Sequence, residues 1–166
     1  MKRSVQSLFV AALICVGGSF CLGQQVDNPQ YKSWAKFKPG TAVTMKTDAA
    51  GTTIETTTTL VEVTPEKVVV ESKMKMAGME GMDMPATKMD IPAKVAQAAG
   101  GTATGPAPVT KDEEVEVAGK KYKTKVTETK SGDTVSKTWT SDEVPGMMVK
   151  MESGTTKMAL SAITIK

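Results

Sequence analysis

The stretch Val68-Val-Val-Glu-Ser-Lys-Met-Lys-Met76 decides the fold class, because its side chains alternate between two kinds. One set is smaller and mostly apolar: Val68, Val70, Ser72, Met74 and Met76. The intervening set is mostly charged: Val69, Glu71, Lys73 and Lys75. A period of two residues is that of a β-strand with one buried face. We predict a strand here and expect Met74 and Met76 to lie on its inward face, where methionine is a flexible core filler.

The same alternation recurs along the chain and predicts a mainly β protein. Tyr122, Thr124 and Val126 alternate with lysines, and residues 52–63 alternate more weakly. Val135 and Trp139 share one face of a further segment. Glycine and proline turns separate these segments, and threonine is abundant, as it is on solvated strand faces. We therefore predict about eight antiparallel strands.

Helix signals occur at two places. Asn28 can cap a helix, Pro29 suits its first position, and Pro39-Gly40 would end it. Tyr31, Trp34 and Phe37 are three residues apart, so we expect this short helix to close one end of the core, with a ligand-stacking site as the alternative. A flexible loop rich in Ala, Gly and Pro is predicted at about 86–110, and within it Asp90 and Pro92 could start a second short helix through Ala99.

Two parts of the chain share one order of predicted strands and turns. Residues 43–72 read as strand, glycine turn, strand, Glu-Val-Thr-Pro turn and strand, and residues 125–153 read the same way with Glu-Val-Pro. This similarity indicates an internal duplication of a three-stranded meander, although any two β-meanders share such an order.

The N-terminus has the pattern of a signal peptide. Lys2 and Arg3 precede an apolar segment, and we place cleavage after Gly23, with lipidation at a cysteine as the alternative. The mature chain, 24–166, would be a single β-rich domain that is exported, periplasmic or extracellular. Both cysteines, Cys15 and Cys21, would leave with the signal peptide, and the 21 basic residues would become 19 against 18 acidic ones.

Composition argues against several functional classes. The chain has no histidine, which removes Ser-His-Asp and Cys-His catalysis and the usual zinc sites. We expect no enzyme activity, because no carboxylate lies in an apolar sequence context of the kind that acid–base catalysis needs. Glu113, Glu114 and Glu116 are predicted to lie on an exposed strand. We also expect no nucleic-acid binding, since the charges are mixed, and no transmembrane segment after the signal peptide.

The segment 74–89 contains six of the twelve methionines. Thioethers select Cu(I) or Ag(I), and Met79-x-x-Met82-x-Met84 resembles the spacing in exported copper-handling proteins. With Met74 and Met76 assigned to a strand, the candidate metal ligands are Met79, Met82, Met84 and Met89. The alternative is that these residues are a strand end and a loop, and we favour it because histidine, which commonly joins such runs, is missing.

Short motifs spread over residues 29–165 carry a resemblance to known proteins. They include the segments 31–40, 60–67, Ala-Gly-Lys-x-Tyr at 118–122, Trp-x-Ser-x-x-Val-Pro at 139–145 and Val-Lys-Met-Glu at 149–152. The chain resembles a group of uncharacterised secreted bacterial proteins and a domain of unknown function. That domain is similar to the outer-membrane lipoprotein carriers. The resemblance implies a single curved antiparallel sheet or half-barrel with helical cover, and it implies no activity.

Three functions remain open at this point. The first is a non-enzymatic exported protein that binds an apolar ligand, such as a lipid or acyl chain, on its curved sheet, without a cofactor. The second is a Met-rich periplasmic protein that binds Cu(I) or Ag(I). The third is a structural or interaction module that contacts another protein of the cell envelope. An apolar cavity between helix and sheet would favour the first.

Overall fold

In a computed structural model, residues 25–78, 84–96 and 108–166 are described. The predicted signal peptide, both cysteines, Met79, Met82 and residues 97–107 lie outside these ranges. The described chain contains one helix, α1 (Pro29–Ala35), and the following strands: β1 (Gln25–Asp27), β2 (Ala42–Ala49), β3 (Thr52–Val63), β4 (Lys67–Met76), β5 (Thr87–Pro92), β6 (Lys94–Ala96), β7 (Val109–Val117), β8 (Lys120–Ser131), β9 (Thr134–Thr140), β10 (Met148–Ser153) and β11 (Thr156–Thr164).

Nine of the strands form one antiparallel sheet in the order β5-β4-β3-β2-β11-β10-β9-β8-β7. The sheet does not close into a barrel. β1 and β6 form a separate two-stranded ladder. The mainly β prediction is thus confirmed, with more strands than the expected eight.

The sheet consists of two meanders placed side by side. The first meander is β2 to β5, the second is β7 to β11, and the first strand of one pairs with the last strand of the other. Tight turns with positive-φ glycines, such as Gly51 and Gly132, connect β2 to β3 and β8 to β9. The predicted glycine turns are confirmed at these positions.

Two unbroken rows of opposed residues define the faces of the sheet, because residues directly opposite each other on neighbouring strands share a face. The first row contains Met76, Ile54, Thr47, Met158, Met151, Thr138 and Thr127. The second row contains Lys75, Glu55, Lys46, Ala159, Lys150, Trp139 and Val126. We call the side of the first row the uncharged face and the side of the second row the charged face, after the character of these sides in β2 to β5 and β9 to β11. On β7 and β8 the uncharged face does carry charged residues: Asp112, Glu114, Glu116, Lys121, Lys123 and Lys125.

The sheet does not bury the same face across its whole width. In β2 to β5 the buried side chains are mostly those of the uncharged face, including Leu60, Val68 and Val70, and Leu160 of β11 is buried on the same face. In β8 and β9, Val126 and Trp139 are buried, and they belong to the charged face. Nevertheless these six side chains are members of one hydrophobic cluster, together with Trp34 and Val144.

Helix α1 packs on β4 and β5, at the outer side of the first meander. Its cap follows the sequence prediction: the Asn28 side chain accepts a hydrogen bond from the Gln30 amide at 3.0 Å, and Pro29 occupies the first turn. Trp34 is buried, Tyr31 and Phe37 pack against the core, and the Tyr31 hydroxyl donates to the carbonyl of Thr64 at 2.7 Å. The predicted role of this helix in closing the core is confirmed, but its predicted end is wrong: the helix ends at Ala35, so Phe37 follows the helix and Pro39-Gly40 does not terminate it.

Three further sequence expectations are wrong. Residues 87–92 and 94–96 form β5 and β6, so no second helix starts at Asp90, because each strand finds a ladder partner in β4 or β1. The predicted loop at 86–110 therefore contains regular structure at both ends. Met74 shares the face of Val70 but is 43% exposed, since β4 extends beyond the part of the face that is covered. It is not a core filler.

Candidate apolar ligand groove

A groove of about 200 Å³ lies where helix α1 and the loop between β9 and β10 face the first meander. Its sheet residues all belong to the uncharged face. The described residues that line it are Gln30, Trp34, Val43, Met45, Thr58, Val70, Ser72, Met89, Ile91, Pro145, Gly146 and Met148.

Trp34 forms the wall of the groove, and a tight loop holds it there. The loop closes by backbone hydrogen bonds, from the Ser141 amide to the Met147 carbonyl at 2.8 Å and from the Met147 amide to the Val144 carbonyl at 2.8 Å. Gly146 has φ +78° and lies against the indole: a Cβ at this position would meet Trp34 Nε1 at 3.2 Å. Only glycine combines this backbone angle with this approach.

Among the described residues, no charged side chain lines the groove. The two hydroxyls in its floor, Thr58 and Ser72, hydrogen-bond each other at 3.0 Å. Gln30 is the remaining polar side chain, at the helix end. Desolvating such a surface costs little, so an uncharged, apolar group can replace water here without leaving a charge unpaired.

Three methionines from different elements reach the groove: Met45 of β2, Met89 of β5 and Met148 of β10. Methionine has three rotatable bonds and adapts its shape to a ligand. Met89 is 55% exposed, so this edge of the groove is open to solvent. A wall that adapts in this way suits ligands of variable shape better than one particular rigid molecule.

The predicted metal ligands are not brought into one described site. Met89 lines the groove, whereas Met84 lines a separate pocket with Lys73, Met74 and Lys75. Met79 and Met82 fall outside the described residues, so the four-sulfur site stays a prediction. Among the described residues no group of three or more acidic, His or Cys side chains could hold a metal ion.

The shifted pKa values belong to surface ion pairs and do not mark a catalytic group. The Lys32 ammonium hydrogen-bonds Asp27 and lowers the pKa of that carboxyl, and Asp90 raises the pKa of Lys67. A hydrogen bond from Lys150 lowers the pKa of Glu152.

A larger polar pocket of about 620 Å³ lies between β7, β8 and the loop at 141–147, and its lining mixes acidic and basic side chains.

Sequence reasoning identified Trp34 and Met89 but missed Met45, Met148 and the loop at 145–146. Met45 and Met148 are isolated in the sequence from the methionine-rich segment, so no local pattern singles them out. The tertiary fold brings them to Trp34.

No protein-family model matches this chain, and no curated protein does either. In the described part of the chain, no helix has the length and apolar character needed to span a membrane.

Proposed function

We propose that this protein binds an apolar ligand, a hydrocarbon segment such as an acyl chain, in the groove under Trp34. The observation that carries the proposal is an apolar floor and wall to which the described part of the chain contributes no charged residue. Hydrophobic burial is the driving force that such a surface offers, since its two floor hydroxyls already pair with each other.

The size of the groove limits what it takes. Pockets that enclose a drug-sized ligand measure about 300–1,000 Å³. A groove of about 200 Å³ therefore holds a segment of a molecule, while the rest extends past the exposed Met89. The bound molecule on this proposal has an uncharged apolar part inside the groove and its polar part in solvent.

The test uses Trp34 as a reporter. The chain has two tryptophans, and Trp139 does not line the groove, so Trp139→Phe leaves Trp34 as the single emitter. We expect energy transfer from Trp34 to the fluorescent fatty acid cis-parinaric acid, saturating with the ligand.

A matched pair of variants separates specific binding from adsorption. Ser72 and Ser136 are both half-buried strand serines that hydrogen-bond a hydroxyl across the strand, to Thr58 at 3.0 Å and to Ser153 at 2.7 Å. Only Ser72 lines the groove. Ser72→Phe should fill it and weaken binding at least severalfold, and Ser136→Phe should not. Equal affinities in both variants, each shown to be folded by circular dichroism, would reject the groove as the site.

Two functional hypotheses apply to the same fold: a carrier that holds an apolar ligand on its sheet, and a module that contacts another protein of the cell envelope. The groove favours ligand binding over the envelope module, because that module needs no cavity. Pull-down of one stoichiometric surface protein by the protein, unchanged in Ser72→Phe, would favour the module instead.

A further inference from the structure

Met151 and Met158, which face each other across one hairpin, meet Met45 from the distant strand β2 on the uncharged face of the central strands. Met158 of β11 pairs directly with Met151 of β10 and, on its other side, with Thr47 of β2. Met45 is two residues before Thr47 on the same strand, and it pairs with Leu160. All three methionines are half-buried.

The geometry of an antiparallel sheet places their sulfurs within reach of one point. Directly opposed residues have Cβ atoms about 4.5–5.5 Å apart, and diagonal neighbours about 7–8 Å, still within reach of long side chains. Met151 and Met158 are the direct pair, and Met45 and Met158 are the diagonal pair. Three thioethers on adjacent strands can therefore face one ion.

The surroundings select the kind of ion. The charged neighbours of these methionines, Lys46, Lys150, Glu152 and Lys157, lie on the charged face, because they alternate with the methionines along the strands. Across β2 to β5 and β9 to β11 the uncharged face carries no Asp, Glu, Lys or Arg. The charged residues on this side belong to β7 and β8, and β9 separates those strands from the methionine-bearing strands β10, β11 and β2. A neutral set of soft sulfur donors without a carboxylate favours a soft monovalent cation over a hard divalent one.

We propose that Met45, Met151 and Met158 form a binding site for one soft monovalent metal ion, Cu(I) or Ag(I). This site is separate from the candidate at Met79, Met82, Met84 and Met89, and it does not rest on the apolar ligand proposed above. It shares only Met45 with the groove.

The experiment is a titration of the protein, labelled with ¹³C at the methionine methyl groups, with Ag(I). Methyl resonances are assigned by single Met→Leu variants. We expect the signals of Met45, Met151 and Met158 to shift together and to saturate at one equivalent, with Zn²⁺ producing no shift. Shifts confined to other methionines, or no saturable shift at all, would overturn the proposal.

Paired variants test the assignment by affinity. Met151→Leu combined with Met158→Leu should weaken Ag(I) binding by about tenfold or more, which corresponds to about 1.4 kcal/mol or more. Met74→Leu combined with Met76→Leu is the matched control on the same face of β4, and it should leave the affinity unchanged. Met79→Leu, Met82→Leu and Met84→Leu together should also leave it unchanged; loss of binding in that triple variant would assign the ion to the loop instead. Methyl spectra of the apo variants verify folding, since leucine conserves volume closely.

Discussion

One continuous sheet buries opposite sides in two of its regions, the first meander and the strands β8 and β9 of the second. In the first meander, Val68 and Val70 are buried on the uncharged face, and Glu71 and Lys73 lie on the other face. In β9, Trp139 is buried on the charged face, and its neighbours Thr138 and Thr140 are only half-buried. Each region buries the bulkier apolar set that its own alternation provides, and the continuous sheet does not force both regions to use the same side.

The buried side changes around β10. The register shifts by one residue in β10 between Met148 and Lys150, and in the adjacent β11 between Leu160 and Ala162. A β-bulge increases local twist and bends the strand. The bulge of β10 lies between β11, which buries Leu160 on the uncharged face, and β9, which buries Trp139 on the charged face.

The largest expected effect comes from removing the buried tryptophan of the second meander. Trp139→Ala should destabilise the protein by about 3–5 kcal/mol, because a large buried side chain leaves a cavity. Val135 lies on the same strand and face but is 39% exposed, so Val135→Ala should change stability by less than about 0.5 kcal/mol. Urea denaturation measures both, and similar losses would contradict burial of the charged face at β9.

The corresponding position in the first meander is Leu60. Leu60→Ala should cost about 2–5 kcal/mol, since this side chain is fully buried on the uncharged face. The adjacent Val61 is 41% exposed at the bulge of β3 and is the matched control. If Val61→Ala were as damaging in thermal unfolding as Leu60→Ala, the assignment of faces in β3 would be wrong.

A smaller effect should be confined to the first meander. Asn28 caps α1 and also donates from Nδ2 to the Pro92 carbonyl at 2.8 Å, so Asn28→Ala should cost about 0.5–2 kcal/mol. The backbone amide of Val70 should show a larger increase in hydrogen-exchange rate than that of Val126, because α1 packs on β4 and β5. Asn28→Asp keeps the cap acceptor but loses the donor, and its loss should be intermediate. Equal acceleration in both meanders would contradict the local role of the helix.

The smallest expected effect concerns the ion pair between Lys150 and Glu152, which lies beside the ring of Trp139. The Lys150 ammonium lies 4.7 Å from the centre of the Trp139 ring and 2.9 Å from the Glu152 carboxylate. The hydrogen bond from Lys150 lowers the pKa of Glu152, so the pair contributes stability above the ordinary pKa of a glutamate and loses it as the pH falls through the lowered value.

Glu152→Gln should therefore lower the melting temperature slightly at pH 7 and not at pH 2. The measurement is the difference in melting temperature between the two proteins at each pH. Lys150→Gln should cause a similar loss at pH 7, and combining the two changes should add less than their sum if the ion pair is responsible. A pH-independent difference would mean that Glu152 acts through packing alone.

The strand alternation, the cap at Asn28 and the glycine turns were predictable because they depend on neighbours within a few residues. The second helix was predicted wrongly because Asp90 and Pro92 form a local helix-start signal, while the ladder partners of β5 and β6 are distant in sequence. Met74 was misplaced for a related reason: alternation assigns it to a face, but only tertiary packing shows how far the cover of that face extends. The helix pattern singled out Trp34, which forms the wall of the groove. No sequence pattern singled out Met45 or Met148.

By itself the sequence determined the mainly β class, the helix α1 and the absence of histidine chemistry, since these follow from local periodicity, capping and composition. Only the tertiary structure decided which face each region of the sheet buries, which side chains line the groove and which methionines become neighbours. Those features depend on strand register, and register depends on the pairing of segments as distant as Thr44 and Ala162. Local patterns carry no information about such pairs, because hydrogen bonds of the sheet ladder form between any backbones that the core brings together.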